Sequence, residues 1–519
     1  MRSIRTRILA TVLVLVGVGV GGWQLLPAKE DTAKTIAVGT TNAVTSLDPA
    51  GAYDAGSWEL FSNVFQSLLT FEAGGVEPVP DAAKSCEFVG TNLRTYRCTL
   101  REGLTFSSGR EMTAEDVKFS FDRIKRINSD VGPASLLSTL RSVDADGLTA
   151  TFHLSSPDAI FPYKLATGAG SIVDHAVYAQ DKLRTDNGAD GSGPYTLTGY
   201  KEDKEADLAP NERYRGDIKG TGRPIVLRYY SDPVSLEKAW KAKQVDVATR
   251  QLPPAVLAGF SPSDPDYRLS EANSAEIRNL VLNTTARSPL HDSRVRQAVA
   301  TLINREQLVS KVYEGTTDPL YSLIPAGITG HTTSFFDAYT TGDTKKARAL
   351  LTEAGVQVPV RFTYGYAKGR GAAAEEAAEL KRQLEASGLF TVDTKGYEWT
   401  DFQKRYTSGR LDAYAVGWVA DYPDPDTFSA PLVGTGNSMK NGYSSKDVDR
   451  LILDSERYSA RTDDVGADFR QVQRIVAQDV PLIPLWQRKE YVVSSVDVGG
   501  GQYLSDGTGV FRLWRLGWI

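Results

Sequence analysis

The feature that most constrains this fold is an alternation between Thr344 and Val419, where apolar residues switch repeatedly from helical spacing to short unbroken runs. Thr344 to Ala354 and Gly371 to Ser387 carry helix patterns, whereas Val358 to Tyr364, Leu389 to Tyr397 and Leu411 to Val419 carry strand patterns. That order is the signature of an α/β lobe. One such lobe cannot absorb 519 residues, because single hydrophobic cores stop growing at about 250–300 residues. Two or three domains are therefore expected.

The last of those strands ends abruptly. Gly417 to Asp426 reads Gly-Trp-Val-Ala-Asp-Tyr-Pro-Asp-Pro-Asp, and Pro423 and Pro425 forbid further pairing because each lacks an amide donor and fixes φ. Asp421, Asp424 and Asp426 are left at the end of a buried run, where a carboxylate is costly unless something positive meets it. A calcium loop does not fit: prolines stand where ligands belong, and the glycine and distal glutamate are missing. Paired carboxylates could serve hydrolysis, but nothing in the sequence sets a second acid at the required distance. A solvated turn and a site for an organic cation remain.

Before the first strand, Arg2, Arg5 and Arg7 precede an uncharged run from Ile8 to Ala28. Such a run is long for a signal peptide and just enough to cross a bilayer, with the arginines held inside. No cysteine follows the run to accept a lipid, which disfavours a lipid-anchored form, and Leu26-Pro27-Ala28 is a poor cleavage site, so an uncleaved anchor over residues 8–28 is expected in preference to a secreted form. Either way the bulk of the chain lies outside the cytoplasm. Cys86 and Cys98 are the only cysteines; a hairpin turning at Gly90-Thr91-Asn92 would pair them in an oxidising compartment, and two reduced core thiols are the alternative. A formal charge of -5 without a basic block argues against nucleic acid as a partner.

Elsewhere the chain is legible in pieces. Ile36-Ala37-Val38 starts a strand after a polar tether, and Glu59 to Leu69 has helical spacing. Thr95 to Leu100 and Tyr195 to Tyr200 read as strands. Thr113 with Asp116, and Asn304 with Gln307, read as capping boxes, the second opening a helix to Tyr313 that Gly315 ends. Ser293 opens another amphipathic helix. The glycines of Asp190 to Tyr195 lead into a strand and lack a following lysine, so a nucleotide loop is excluded. His153, His175, His291 and His331 stand singly, and no nucleophile elbow or metal-ligand spacing accompanies them. No catalytic machinery, cofactor or metal site is expected.

In this order the motifs resemble the extracellular solute-binding proteins of family five, which deliver oligopeptides and related solutes to ABC transporters. The resemblance runs through Leu47-Asp48-Pro49, Pro78 to Ala83, Thr95 to Phe106, Thr113 to Val117, Gly193-Pro194-Tyr195, Asn211 to Gly216, Asn283-Thr284, Asp292 to Ala298, Asn304-Arg305 and the stretch at Asp421. It implies a periplasmic-binding fold of type II, cluster C: two α/β lobes with a ligand cleft, and an extra subdomain in lobe one. Residues 1–34 would be anchor and tether, 35–68 and 191–280 lobe one, 69–190 the extra subdomain, 281–485 lobe two, and 486–519 the return to lobe one. Ile277 to Leu282 and Pro481 to Trp486 would be the crossing segments.

The resemblance also implies roles. Asp421 would accept the α-ammonium group of a peptide, with Trp418 and Tyr422 flanking the cation or packing along the ligand. Asp424 would end the turn and Asp426 cap the next segment. Tyr53, Asp54 and Trp58 come from the loop that supplies other contacts, and Arg370 lies where a carboxylate partner would stand, though without a matching motif. Family members for nickel chelates, sugars or antibiotics keep the aspartate segment approximately, so the solute class stays open. A monomeric receptor working with permease subunits is expected. An extracellular peptide- or glycan-acting hydrolase and a peptide sensor without transport are the competing readings.

Overall fold

The computed structural model describes residues 34–519 other than 221, 251, 340, 369–370, 458–462 and 506. The expected anchor at residues 8–28 and Arg370 therefore fall outside the described residues. Among the described residues no helix is long and apolar enough to cross a membrane.

From Ile36 onward the chain is organised by one hydrogen-bonded sheet. Its main strands, in chain order, are β1 (Ile36–Thr40), β2 (Tyr195–Lys201), β3 (Glu205–Pro210), β4 (Ile225–Tyr229), β5 (Val247–Ala248), β6 (Tyr267–Leu282), β7 (Val360–Ala367), β8 (Phe390–Tyr397), β9 (Ala413–Val419) and β10 (Leu482–Ser495), with the short strand Thr317–Pro319 paired to β10 off this row. Their spatial order is β8-β7-β9-β6-β10-β5-β1-β4-β3-β2. The parallel pairs β7–β8 and β7–β9 form one half, and the parallel pairs β1–β4 and β1–β5 the other. The long antiparallel strands β6 and β10 join them.

Two cores lie on these halves. One runs from Ala275 to Trp486 and is lobe two; the other gathers β1, β3, β4 and the C-terminal Leu504 to Leu516 into lobe one. Pairing of β6 with β10 is interrupted between Asn273 and Ile277. At that interruption Gln487 Nε2 donates to the Ser274 carbonyl at 2.9 Å, and Ala275 N to the Gly507 carbonyl at 2.6 Å. The interruption precedes Ile277 to Leu282, which pair with β9 inside lobe two. The interruption thus lies immediately before Ile277, where the first expected crossing segment begins.

A third core spans Ala50 to Ile172 beneath a four-stranded sheet of Ala83–Phe88, Thr95–Leu100, Leu140–Asp146 and Thr149–Leu154, and the helix Ala114–Ile127 packs on it. Cys86 faces Cys98 directly across two of these strands and the two are disulfide-bonded. Thr113 N donates to Asp116 Oδ2 at 3.0 Å, the reciprocal arm of the expected box. Asn304 accepts from Gln307 N at 2.8 Å, but its own N–H goes to Gln383 Oε1, not to the Gln307 side chain. The helix expected over Glu59 to Leu69 occupies Ala55–Val64 instead. Asp54 starts it early as N-cap, and the chain turns at Phe65 to enter the strand Leu69–Phe71.

Candidate functional site

The junction after β9 sorts its three carboxylates by direction. Ala420 N still donates to the Ala275 carbonyl at 3.1 Å, the last contact of the strand with β6. Asp424 then caps the short 3₁₀ turn Pro425–Phe428, accepting from Asp426 N at 2.9 Å, and is buried. Asp426 is buried too and accepts the Tyr422 hydroxyl at 3.2 Å. The cap is thus Asp424, whereas Asp426, expected to cap the next segment, fastens Tyr422. Only Asp421 points elsewhere.

Asp421 Oδ2 accepts the hydroxyl of Tyr53 at 2.6 Å, so a lobe-two carboxylate meets a lobe-one tyrosine across the cleft. Tyr53 is held for this contact. Its ring stacks on Trp58 with centroids 5.3 Å apart at 22°, and Trp58 Nε1 donates to the Ala52 carbonyl at 3.3 Å. Gly168 lies against Trp58: a Cβ there would come within 2.3 Å of the indole, so only glycine lets the backbone approach. Both Asp54 oxygens are engaged by Ser57, from N at 2.8 Å and Oγ at 2.9 Å. Asp54 therefore builds the helix that carries Trp58, and its expected place as a ligand contact gives way to that role.

Burial pushes the Asp421 carboxyl up to about 6; the Tyr53 hydrogen bond opposes the shift and Asp426 adds to it. The Tyr53 hydroxyl is driven far above its ordinary range, first by burial and then by Asp421. A desolvated acid that meets a hydroxyl donor and, among the described residues, no ion-pair partner is an incomplete electrostatic arrangement.

Asp421 and Trp58 line a cleft with Phe71, Asp81, Arg512 and Trp514, enclosing about 640 Å³ of space, open solvent included. Asp81 accepts from Gln66 Nε2 at 3.1 Å and Ser67 N at 3.3 Å. Burial raises its carboxyl to about 6 against those hydrogen bonds. Trp418 is half-buried opposite Ile277 on β6, packs against the lobe-two core, and its Nε1 is buried without a hydrogen-bond partner among the described residues. Tyr422 is not a cleft residue: it is buried among Phe71, Ile160 and Tyr163, a small apolar cluster that lobe two shares with lobe one. A tyrosine between acid residues reads as a binding residue, but the two prolines turn this one inward. Sequence reasoning missed Asp81, Arg512 and Trp514. No periodic signal marks them: Phe511 to Arg515 mixes apolar and basic residues on both sides of a two-residue repeat, and Leu513–Arg515 forms a 3₁₀ turn.

The family model described as bacterial extracellular solute-binding proteins, family 5 Middle, matches residues 77–440. The chain belongs to that family. Among curated proteins it is similar to Di/tripeptide-binding protein 2 of Pseudomonas aeruginosa, 26% identical over 494 residues, covering 87% of this chain and 89% of that one. It is equally similar to Heme-binding protein A of Haemophilus influenzae, 26% identical over 494 residues and 88% of each chain. Among solved structures, DppA from Helicobacter pylori in complex with the peptide STSA superposes with a TM-score of 0.77 at 24% identity, over 94% of this chain and 99% of that one. These relatives are binding proteins, and identity alone does not separate a peptide binder from a haem binder. The cleft chemistry has to do that.

Proposed function

We propose that the protein is the extracytoplasmic receptor of an ABC importer and captures short peptides, or a related amine-bearing solute, through Asp421. The observation that carries this reading is the bond between Tyr53 and Asp421: a desolvated acid on one lobe, met from the other lobe by a single hydroxyl. A primary ammonium brings three donors and a full charge, and in a cleft that excludes water such a contact is far stronger than on a surface. Haem offers no ammonium for this acid. Closure is driven by contacts made only when both lobes touch the ligand, and Asp421 with the Tyr53 loop supplies them. Trp58 shapes the wall, and Trp418 packs along the solute at the mouth of the strand.

We take the hinge to be the interrupted ladder at Ser274 to Glu276 with Gln487 and Arg488 opposite, and lobe two to be the segment between them. Residues 69–190 are then the extra subdomain of lobe one, and the closed face is what a permease subunit receives. Anchoring through residues 8–28 keeps the receptor beside that permease; a monomer suffices. The test is calorimetry with a mixture of unprotected di- and tripeptides. Asp421→Asn is expected to weaken binding by about 100-fold, the range found for removing one partner of a desolvated charge pair; unchanged affinity rejects the amine anchor.

A further inference from the structure

The cleft that Asp421 enters holds a second acid. Asp81 follows the strand Pro78–Pro80, which pairs with Leu69–Phe71 and seats the residue against Gln66 and Ser67. Its backbone is pinned: the N–H donates to the Leu68 carbonyl at 3.0 Å, and the carbonyl accepts Arg101 Nε at 2.7 Å. The side chain is half-buried and lines the same space as Asp421. Gln66 Nε2 and Ser67 N each donate to one of its oxygens, and among the described residues it makes no ion pair. Arg101 draws the carboxyl down, yet its guanidinium pairs with Asp217 at 2.7 Å; burial wins, and the carboxyl stands at about 6. A carboxylate has about four acceptor sites, so a cation can join without displacing Gln66 or Ser67. The surrounding wall is aromatic, with Trp58, Phe71 and Trp514 lining the same space. Trp514 is 4% exposed and its Nε1 is buried without a hydrogen-bond partner among the described residues. That wall therefore also offers a donor to an acceptor such as a peptide carbonyl. Aromatic rings beside a carboxylate suit an organic cation, whose charge the acid meets and whose lost hydration the rings offset.

We propose that Asp81 receives a second cation of the solute, so that the cleft selects short peptides with a basic side chain at the first or second residue. This rests on the amine-anchor reading of Asp421 and adds a side-chain preference to it. The two acids take separate charges, the α-ammonium group at Asp421 and the basic side chain at Asp81. A neutral peptide of the same length fits the amine anchor but shuts Asp81 away from water without a charge partner, which is costly.

The experiment uses the full chain and calorimetry with four unprotected tripeptides: Lys-Ala-Ala, Ala-Lys-Ala and their norleucine counterparts, which keep the side-chain length and remove the charge. At least one lysine peptide is expected to bind wild-type protein about tenfold more tightly than its norleucine counterpart, the scale of a lost hydrogen bond to a charged group. In Asp81→Asn that lysine peptide should bind no better than its norleucine counterpart, with thermal melting checking that the variant folds. Acetylating the lysine side chain makes the same change from the ligand side and should bring its affinity for wild-type protein down to that of the norleucine peptide. Equal binding of lysine and norleucine peptides by wild-type protein overturns the proposal. So does a lysine advantage that survives in Asp81→Asn or after acetylation. In each case binding of the norleucine peptides that Asp421→Asn weakens leaves the Asp421 reading standing. Binding of none of the four peptides overturns both.

Discussion

Two desolvated carboxylates near adjoining strands meet opposite fates, and the contrast separates scaffold from site. Glu276 lies at the interrupted ladder of β6, with Arg488 Nε 2.8 Å and Arg250 Nη1 3.5 Å from its Oε2. Burial pushes its carboxyl up, but Arg488 and Arg250 outweigh burial and hold it below the ordinary range. Asp421, just beyond the strand paired with β6, has a tyrosine hydroxyl where Glu276 has guanidinium groups. Its carboxyl is raised. The protein surrounds one acid with its own cations and meets the other, among the described residues, with a hydroxyl alone.

The largest expected effect that tests this contrast is on stability. Glu276→Gln leaves Arg488 and Arg250 facing a neutral amide in the interior, and losing one partner of a buried ion pair costs about 3–5 kcal/mol. A clear fall in Tm is expected, with a looser hinge. Asp421→Asn should act in the opposite direction. The folded pKa of Asp421 is raised from 3.8 to about 6, so its contribution is fully present below the unfolded value and is lost as pH rises to about 6. The asparagine variant is expected to be more stable than wild type at pH 8, by on the order of 1–2 kcal/mol after allowance for a half-buried group. A chemical-denaturation series from pH 4 to 8 reads both. A stability loss in Asp421→Asn like that in Glu276→Gln would make Asp421 a structural acid.

Next in size is the pH dependence of capture. The ammonium needs the ionised carboxylate, and a group with its pKa near 6 is about one-tenth ionised at pH 5. Affinity for an unprotected peptide should therefore fall about tenfold between pH 8 and pH 5, with a midpoint near 6. Flat affinity over that range, measured by calorimetry in buffers of matched ionisation heat, would remove Asp421 from the ligand.

Much of the contrast was open to reading before any coordinates. The strand ending at Val419 and the prolines that turn the chain are patterns of period and of missing donors, and both survive in the fold. The capping residues Thr113 and Asn304 work locally, so they too are legible. What sequence could not assign was direction between distant segments. Asp48 looked like part of a loop motif, yet Arg123 clasps it in the interior at 2.6 and 2.5 Å, stapling the helix Ala114–Ile127 to the loop after β1. Tyr422 looked like a cleft residue until a neighbouring carboxylate and three apolar partners drew it inward. Arg296 stood only as one letter of the motif Asp292 to Ala298, but it donates to the carbonyls of Asp479 and Val480 at the end of another helix. In each case a decisive partner stands far along the chain or on the inner side of a turn, and one sequence carries no information on which such groups meet.

The smallest expected effect is the sharpest test of how the cleft waits for its ligand. Tyr53 donates a hydrogen bond to the Asp421 carboxylate from the opposite lobe, and that bond lowers the carboxyl against the effect of burial. Tyr53→Phe removes the donor and keeps the ring that stacks on Trp58. The Asp421 carboxyl should then rise further, and the midpoint of the affinity profile should move above 6 by up to about one pH unit, since a hydrogen bond to a charged group is worth roughly 1.5 kcal/mol at the low end. At pH 8, where Asp421 is ionised in both proteins, the phenylalanine variant should bind the peptide within a few-fold of wild type, because the ammonium replaces the lost donor. An unchanged midpoint with a large loss at pH 8 would mean that Tyr53 touches the ligand directly instead of standing in for its cation. Glu276, whose cations are part of the fold, allows no such exchange, and on that contrast rests the proposed difference between an acid that fastens the ladder and one that receives a solute.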